Sequence, residues 1–126
     1  MFCVVPCAEE KVLTKICAET GGQYNPNCVL NMILIVGERV AGVSQTSLRG
    51  RVARLTYAGV IPELRGKGYG DLTIRSAINK VMDIVDVIEV ESHHEYFARF
   101  GFTRTEFGWS AKSEDIKFPS YCGDCK

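Results

Sequence analysis

The clearest chemistry in this chain lies in the stretch Arg65-Gly66-Lys67-Gly68-Tyr69-Gly70. Its closely spaced glycines let the backbone approach a ligand. The residues that follow have the pattern of a helix, whose unpaired N–H groups and dipole point back at the loop. Arg65 and Lys67 add positive charge, so the expected ligand is an anion, most simply a pyrophosphate. A flexible turn between strand and helix would use the same glycines, and the flanking sequence has to decide between the two. The loop is not a magnesium-nucleotide loop, because no Gly-Lys-Ser/Thr closes it and no hydroxyl residue follows Gly70. It is a poor dinucleotide fingerprint too, since the glycine spacing is wrong and no acidic residue closes a second strand at the usual distance. A second pattern is Cys122-Gly123-Asp124-Cys125, with Cys3 and Cys7 at the other end of the chain. Two residues between thiolates let both reach one tetrahedral zinc ion, if the termini meet. A redox disulfide is an alternative, and a plain tail turn with unligated thiols is the third reading. The flanks lack paired knuckle turns, so no metal is expected.

The loop needs a strand before it and a helix after it. Residues 52–61 form the strand, with Ala53, Leu55 and Tyr57 alternating against Arg54, Thr56 and Ala58. Residues 71–82 form the helix, turning Leu72, Ile74, Ala77, Ile78 and Val81 toward a core and Arg75 and Lys80 outward. Residues 87–90 are the next strand, which a right-handed crossover places parallel and adjacent to 52–61. Upstream, residues 8–18 make an amphipathic helix stopped at Thr20-Gly21-Gly22. The apolar run 29–36 reads as a strand covered on both faces, followed by a hairpin at Gly37-Glu38, a strand over 40–46 and a reversal at Leu48-Arg49-Gly50. Downstream, 95–100 is a short helix ended by Gly101, and 102–107 returns as a strand. The expected fold is α/β: a mixed, mostly antiparallel sheet of six or seven strands, with a central parallel βαβ pair and flanking helices.

Composition bounds what else the chain can be. At 126 residues, 46% apolar, it fits a single domain over 1–126 with one modest core. A formal net charge of zero gives no long-range pull toward polyanions, so no nucleic-acid partner is expected. The longest apolar run is far short of the roughly 20 residues that span a bilayer, and no basic-then-apolar leader opens the chain. These features predict a cytoplasmic protein with no membrane partner. The six cysteines then read as reduced thiols rather than a disulfide scaffold.

Residues 60–70, Val60-Ile61-Pro62-Glu63-Leu64 and the glycine loop, resemble the acyl-CoA signature of the GNAT N-acetyltransferase family, Arg/Gln-x-x-Gly-x-Gly/Ala after a strand ending in Val-x-Pro. Arg65, Gly68 and Gly70 fill its defining positions. A second stretch, Tyr96-Phe97-Ala98-Arg99-Phe100-Gly101-Phe102, is similar to the family's later signature, an aromatic pair, helical residues and Gly-Phe opening a strand. Together the resemblances cover residues 29–110 in the family's order of elements. There are departures. The glutamate that many members place on the strand before the loop is Arg54 here, the tyrosine that protonates the leaving thiolate is Phe97, with Tyr96 one residue earlier, and the asparagine after the fifth strand is missing because the connection 91–95 is short. That shortening, the aromatic pair and the cysteine-bearing tail resemble the N-acetylglutamate-synthase-like branch.

The resemblance implies an enzyme in which an amine attacks the thioester of acetyl-CoA directly, with acetyl-CoA as cosubstrate and a primary amine of a small molecule or peptide as acceptor. It implies that backbone groups of Val60 and Ile61 run beside the pantetheine arm and that Arg65, Gly66, Lys67, Gly68, Tyr69 and Gly70 hold the pyrophosphate. An amine with a pKa near 10.4 costs roughly 4–5 kcal/mol to neutralise at pH 7, an α-amino group only about 1. Without the usual glutamate a low-pKa amine is favoured, or another base. His93 and His94 lie just past the carboxyl end of strand 87–90, where parallel sheets place ligands. His93 and Tyr96 are the candidate catalytic residues, ahead of Tyr57 and Glu91. Arg54 is either a solvated strand residue or a clamp for an acceptor carboxylate, to which its planar fork is suited. One N-terminal helix stands where the family usually has two, so the acceptor cleft is open or is completed by a second subunit in a homodimer. The alternative function is a non-catalytic acyl-CoA-binding sensor, which the replacements at Arg54 and Phe97 would produce.

Overall fold

The computed structural model describes residues 1–92 and 94–118. In chain order the elements are β1 (Phe2–Pro6), α1 (Glu10–Glu19), β2 (Leu30–Val36), β3 (Arg39–Arg49), β4 (Val52–Val60), α2 (Tyr69–Val81), β5 (Val87–Val90), a 3₁₀ turn (Glu95–Phe100), β6 (Thr103–Thr105) and β7 (Gly108–Lys112). They build a seven-stranded sheet of order β1-β2-β3-β4-β5-β7-β6. Among the described residues only β4 and β5 pair in parallel; the other neighbours are antiparallel. This is the expected mixed α/β sheet, because the α2 crossover leaves β5 no other right-handed place beside β4.

Two strands were not legible. Phe2–Pro6 extends the sheet at its edge by pairing with β2. Residues 102–107 do not form one strand: β6 ends at Thr105, the chain turns at Glu106-Phe107, and β7 is the strand that joins β5. No Gly-Asn pair marks that turn. Thr105 makes it instead, its hydroxyl oxygen accepting from the N–H groups of Phe107 (3.3 Å) and Gly108 (3.2 Å). The reversal expected at Leu48 falls later, since β3 runs to Arg49 and the chain turns at Gly50-Arg51.

Two apolar clusters hold the sheet. Leu13, Ile16 and Cys17 of α1 pack with Ala41, Val43 and Val60. Ala77, Ile78 and Val81 of α2 pack with Ala53, Leu55, Ile88, Val90 and the aromatic group Phe97, Phe100, Phe102 and Trp109. In α2 the residue buried without exposure is Thr73, whose hydroxyl donates back to the Tyr69 carbonyl, and not the expected Leu72 or Ile74, which are half-buried. Arg75 does not face outward either: it lies against Asp71 (3.5 Å) and over the Phe118 ring (4.9 Å). Among the described residues no helix is long and apolar enough to cross a membrane.

Candidate functional site

A break in β4 creates the site. From Val52 to Leu55 it pairs with β5, and the last bond runs from Glu91 N–H to the Leu55 carbonyl (3.1 Å). Its register with β3 then slips, from Thr46↔Leu55 to Gln45↔Tyr57, so Thr56 is an extra residue. Such a bulge bends the strand and re-aims its side chains. Leu55 faces the α2 cluster, whereas Tyr57, expected on the same face by alternation, packs toward α1 and shares a 2.7 Å hydrogen bond with Thr20. Beyond Leu55 the parallel strands separate. The gap is a cavity of about 350 Å³ lined by Leu55 to Ala58, Ile74, Val90, Asp71, Glu91, His94, Tyr96 and Phe97. It adjoins a second cavity of about 400 Å³, lined by Thr20, Val60, Arg65, Gly66 and Gly70, and the two share Tyr57, Ala58 and Ile74. One cleft therefore runs from the splayed strands to the glycine loop.

The loop end presents backbone donors. Gly66 and Gly68 have φ of +80° and +89°, a conformation that side chains resist. They turn the chain so that α2 starts at Tyr69, and the first helical bond is from Leu72 N–H to the Gly68 carbonyl (3.1 Å). Among the described residues, the N–H groups from Gly66 through Asp71 have no backbone acceptor. A Cβ at Gly68 or Gly70 would meet nothing within 4 Å, and Gly70 lines the second cavity. Lys67 is exposed, and the half-buried Tyr69 ring meets Phe2 edge-on at 5.7 Å. The Arg65 guanidinium turns back, donating to the carbonyls of Val60 (2.9 Å) and Thr20 (3.0 Å), and so ties β4 to the end of α1 beside the cleft. Ile61 spends its N–H on Ala41 and its carbonyl on Leu64. Strand alternation then turns the N–H of Val60 away from β3, on the side of the second cavity, which Val60 lines.

At the other end, the Tyr96 hydroxyl donates to the Asp71 carboxylate in the first turn of α2. His94 caps the 3₁₀ turn, its Nδ1 accepting from Tyr96 N–H (3.2 Å), an arrangement that leaves the proton on Nε2. His93 lies outside the described residues, as do Cys122 and Cys125. Arg54 bridges two carboxylates of β5 and its extension, Glu89 (3.0 Å) and Glu91 (2.9 Å), under the Phe107 ring at 5.6 Å. The Glu91 hydrogen bond, with Glu89 behind it, holds the guanidinium above its ordinary pKa. Phe97 is buried at 3% exposure. Among the described residues, no group of three or more His, Cys, Asp or Glu could hold a metal ion. Sequence reasoning missed Asp71 and Glu89. An acidic residue in a first helical turn reads as dipole complement, and only the packing of the 3₁₀ turn against α2 brings Tyr96 to it.

No family model matches the chain, and no curated protein matches it. Many solved structures do. The ribosomal-protein-S18-alanine N-acetyltransferase of Escherichia coli superposes with a TM-score of 0.71 at 15% identity, over 94% of this chain and 100% of that one. A GNAT family N-acetyltransferase of Escherichia coli in complex with CoA gives 0.74 at 10% identity, over 89% of this chain and 81% of that one. A GNAT family acetyltransferase of Brucella melitensis in complex with acetyl-CoA gives 0.71 at 15%, over 89% and 88%. At these identities the likeness establishes the architecture: the chain has the GNAT fold.

Proposed function

We propose that this protein transfers an acetyl group from acetyl-CoA to a primary amine of a small molecule or peptide. The observation that carries the proposal is the continuous cleft, with a largely apolar gap between splayed parallel strands at one end and a glycine cradle of unpaired N–H groups at the other. Two proteins of the same fold hold CoA and acetyl-CoA. In this reading Gly66, Gly68 and Gly70 let the pyrophosphate reach the helix N-terminus, Lys67 adds charge, and Arg65 holds the cleft wall. The amide of Val60 runs beside the pantetheine arm, which brings the thioester between β4 and β5 near Thr56 and Tyr96. The amine nitrogen attacks the carbonyl carbon, the C–S bond breaks, and the amine's surplus proton ends on the thiolate. Holding both reactants in the gap supplies much of the rate enhancement, because a bimolecular encounter becomes an intramolecular one. Arg54 positions Glu91 at the acceptor side. The free thiols of Cys3, Cys7, Cys17 and Cys28 suit a reducing, cytoplasmic setting.

The test is thiol release from acetyl-CoA against a panel of amino acids, polyamines and peptide N-termini. Amine-dependent release with at least one acceptor supports the transferase. A second reading, an acyl-CoA sensor without catalysis, draws on Phe97 being packed in the core and Arg54 being engaged by two glutamates. It predicts tight CoA binding and no amine-dependent release with any acceptor.

A further inference from the structure

The hydrogen bond between Tyr96 and Asp71 has a direction. A carboxylate can only accept, so the phenolic hydrogen points at Asp71 and is not presented to the gap. Both residues line the cavity between β4 and β5 and come from different elements: Asp71 from the first turn of α2 and Tyr96 from the 3₁₀ turn after β5. Asp71 is itself held by Arg75, one turn along the helix. The Tyr96 ring is braced edge-on by Phe97 and Phe100, each at 5.0 Å, with the Arg99 guanidinium 5.7 Å from its centre. This phenol is oriented from both ends.

We infer that Asp71 is a positioning residue that makes Tyr96 a two-way proton carrier, taking the proton from the attacking amine and returning it to the thiolate. The inference rests on the transferase reading above. Attack of the neutral amine on the thioester carbon leaves an ammonium N–H in the tetrahedral adduct. That N–H bond breaks as a new O–H bond forms on the Tyr96 oxygen, while the original phenolic proton passes to the Asp71 carboxylate. The C–S bond then breaks, its electron pair leaves on sulfur, and the proton returns from Asp71 through Tyr96 to the thiolate. The products are the amide and free CoA-SH, with no other reactant consumed. One pair thus covers the work of two groups this chain lacks at their usual places, where Arg54 and Phe97 stand. Tyr57, Glu91, His94, Arg75 and Arg99 are the other charged or titratable described groups lining this cavity or touching the pair. Glu91 is paired with Arg54, and His94 gives its Nδ1 to a backbone N–H.

The experiment is a cycle of Asp71→Asn, Asp71→Glu, Tyr96→Phe and the double variant Asp71→Asn/Tyr96→Phe, measured by thiol release with the best acceptor of the panel. Asn keeps an oxygen that accepts from Tyr96 but cannot take its proton, so it separates orientation from proton transfer. Expected for Asp71→Asn is a fall in kcat of about 100-fold, the scale of acid–base catalysis, with KM for acetyl-CoA within about threefold of wild type. Tyr96→Phe should fall equally and the double variant no further, because the two act as a unit. Asp71→Glu should recover part of the rate. An Asp71→Asn variant with wild-type kcat, or losses that multiply in the double variant, would overturn the relay while leaving the transferase intact. A wild type that binds acetyl-CoA but releases no thiol with any amine would overturn the transferase reading and the relay with it.

Discussion

Gly70 separates stability from function, because leucine there should move the two in opposite directions. It lies in the first turn of α2 with ordinary helical backbone, and a Cβ would meet nothing within 4 Å. In the unliganded protein Gly70→Leu therefore adds a better helix former without strain, a gain of up to about 1 kcal/mol. For a domain of this size that is a rise in Tm of roughly 3–5 °C. The empty space is the cleft itself, since Gly70 lines the cavity at the cradle. A leucine side chain there, larger than the methyl that the Gly/Ala place of the signature admits, would hold a pyrophosphate away from the N–H groups of the helix end and cost one charge-assisted hydrogen bond, about 1.5–3 kcal/mol. At about 1.4 kcal/mol per tenfold, the Kd for CoA should rise roughly 10- to 100-fold. Gly68→Ala is the contrasting control. Its φ of +89° makes alanine strained by about 1–2 kcal/mol, so affinity and Tm should fall together. Calorimetric titration with CoA and thermal melts of the unliganded variants measure both. A Gly70→Leu protein that is more stable yet binds CoA as wild type would refute the cradle; one that melts lower would refute the unstrained helical placement.

Arg54→Met strips the cation from between Glu89 and Glu91. The side chains are more than a third exposed, so the expected loss is only about 1 kcal/mol, shrinking as salt is raised, by urea denaturation; a loss independent of salt would point to packing instead. The Arg51 hydrogen bond holds the exposed Asp86 carboxyl below its usual pKa, so its stabilisation is present above the ordinary aspartate range and is lost as pH falls through the lowered value. The gap in denaturation midpoint between wild type and Arg51→Ala should close on acidification below about pH 3.9, and a gap unchanged at the lowest pH contradicts that account. Burial, and then the neighbouring Cys28, push the Cys17 thiol up, whereas Cys3 is exposed. Iodoacetamide should label Cys3 in the native protein and reach Cys17 and Cys28 only after denaturant is added, as peptide mass spectrometry would show; labelling of Cys17 at the Cys3 rate would mean that α1 is not packed on the sheet.

The amino-acid sequence by itself determined the local devices. Glycines at 66 and 68 are needed because the backbone there has positive φ, and that requirement is written in residue type. The parallel pairing of β4 and β5 was equally legible, since a strand, one helix and a second strand have essentially one handed solution. Tertiary structure decided what depends on partners distant in the chain. The bulge at Thr56 exists only relative to β3, and it sends Tyr57 to the face opposite Leu55, which no periodicity could announce. Phe2–Pro6 and Gly108–Lys112 are strands because β2 and β5 have open edges to offer, while their own runs are too short to declare it. The site's polar pairs follow the same rule. Tyr96 meets Asp71 across 25 residues and Arg54 meets Glu91 across 37, so each side chain's proton or charge was settled by packing between elements whose individual patterns carry no trace of the other.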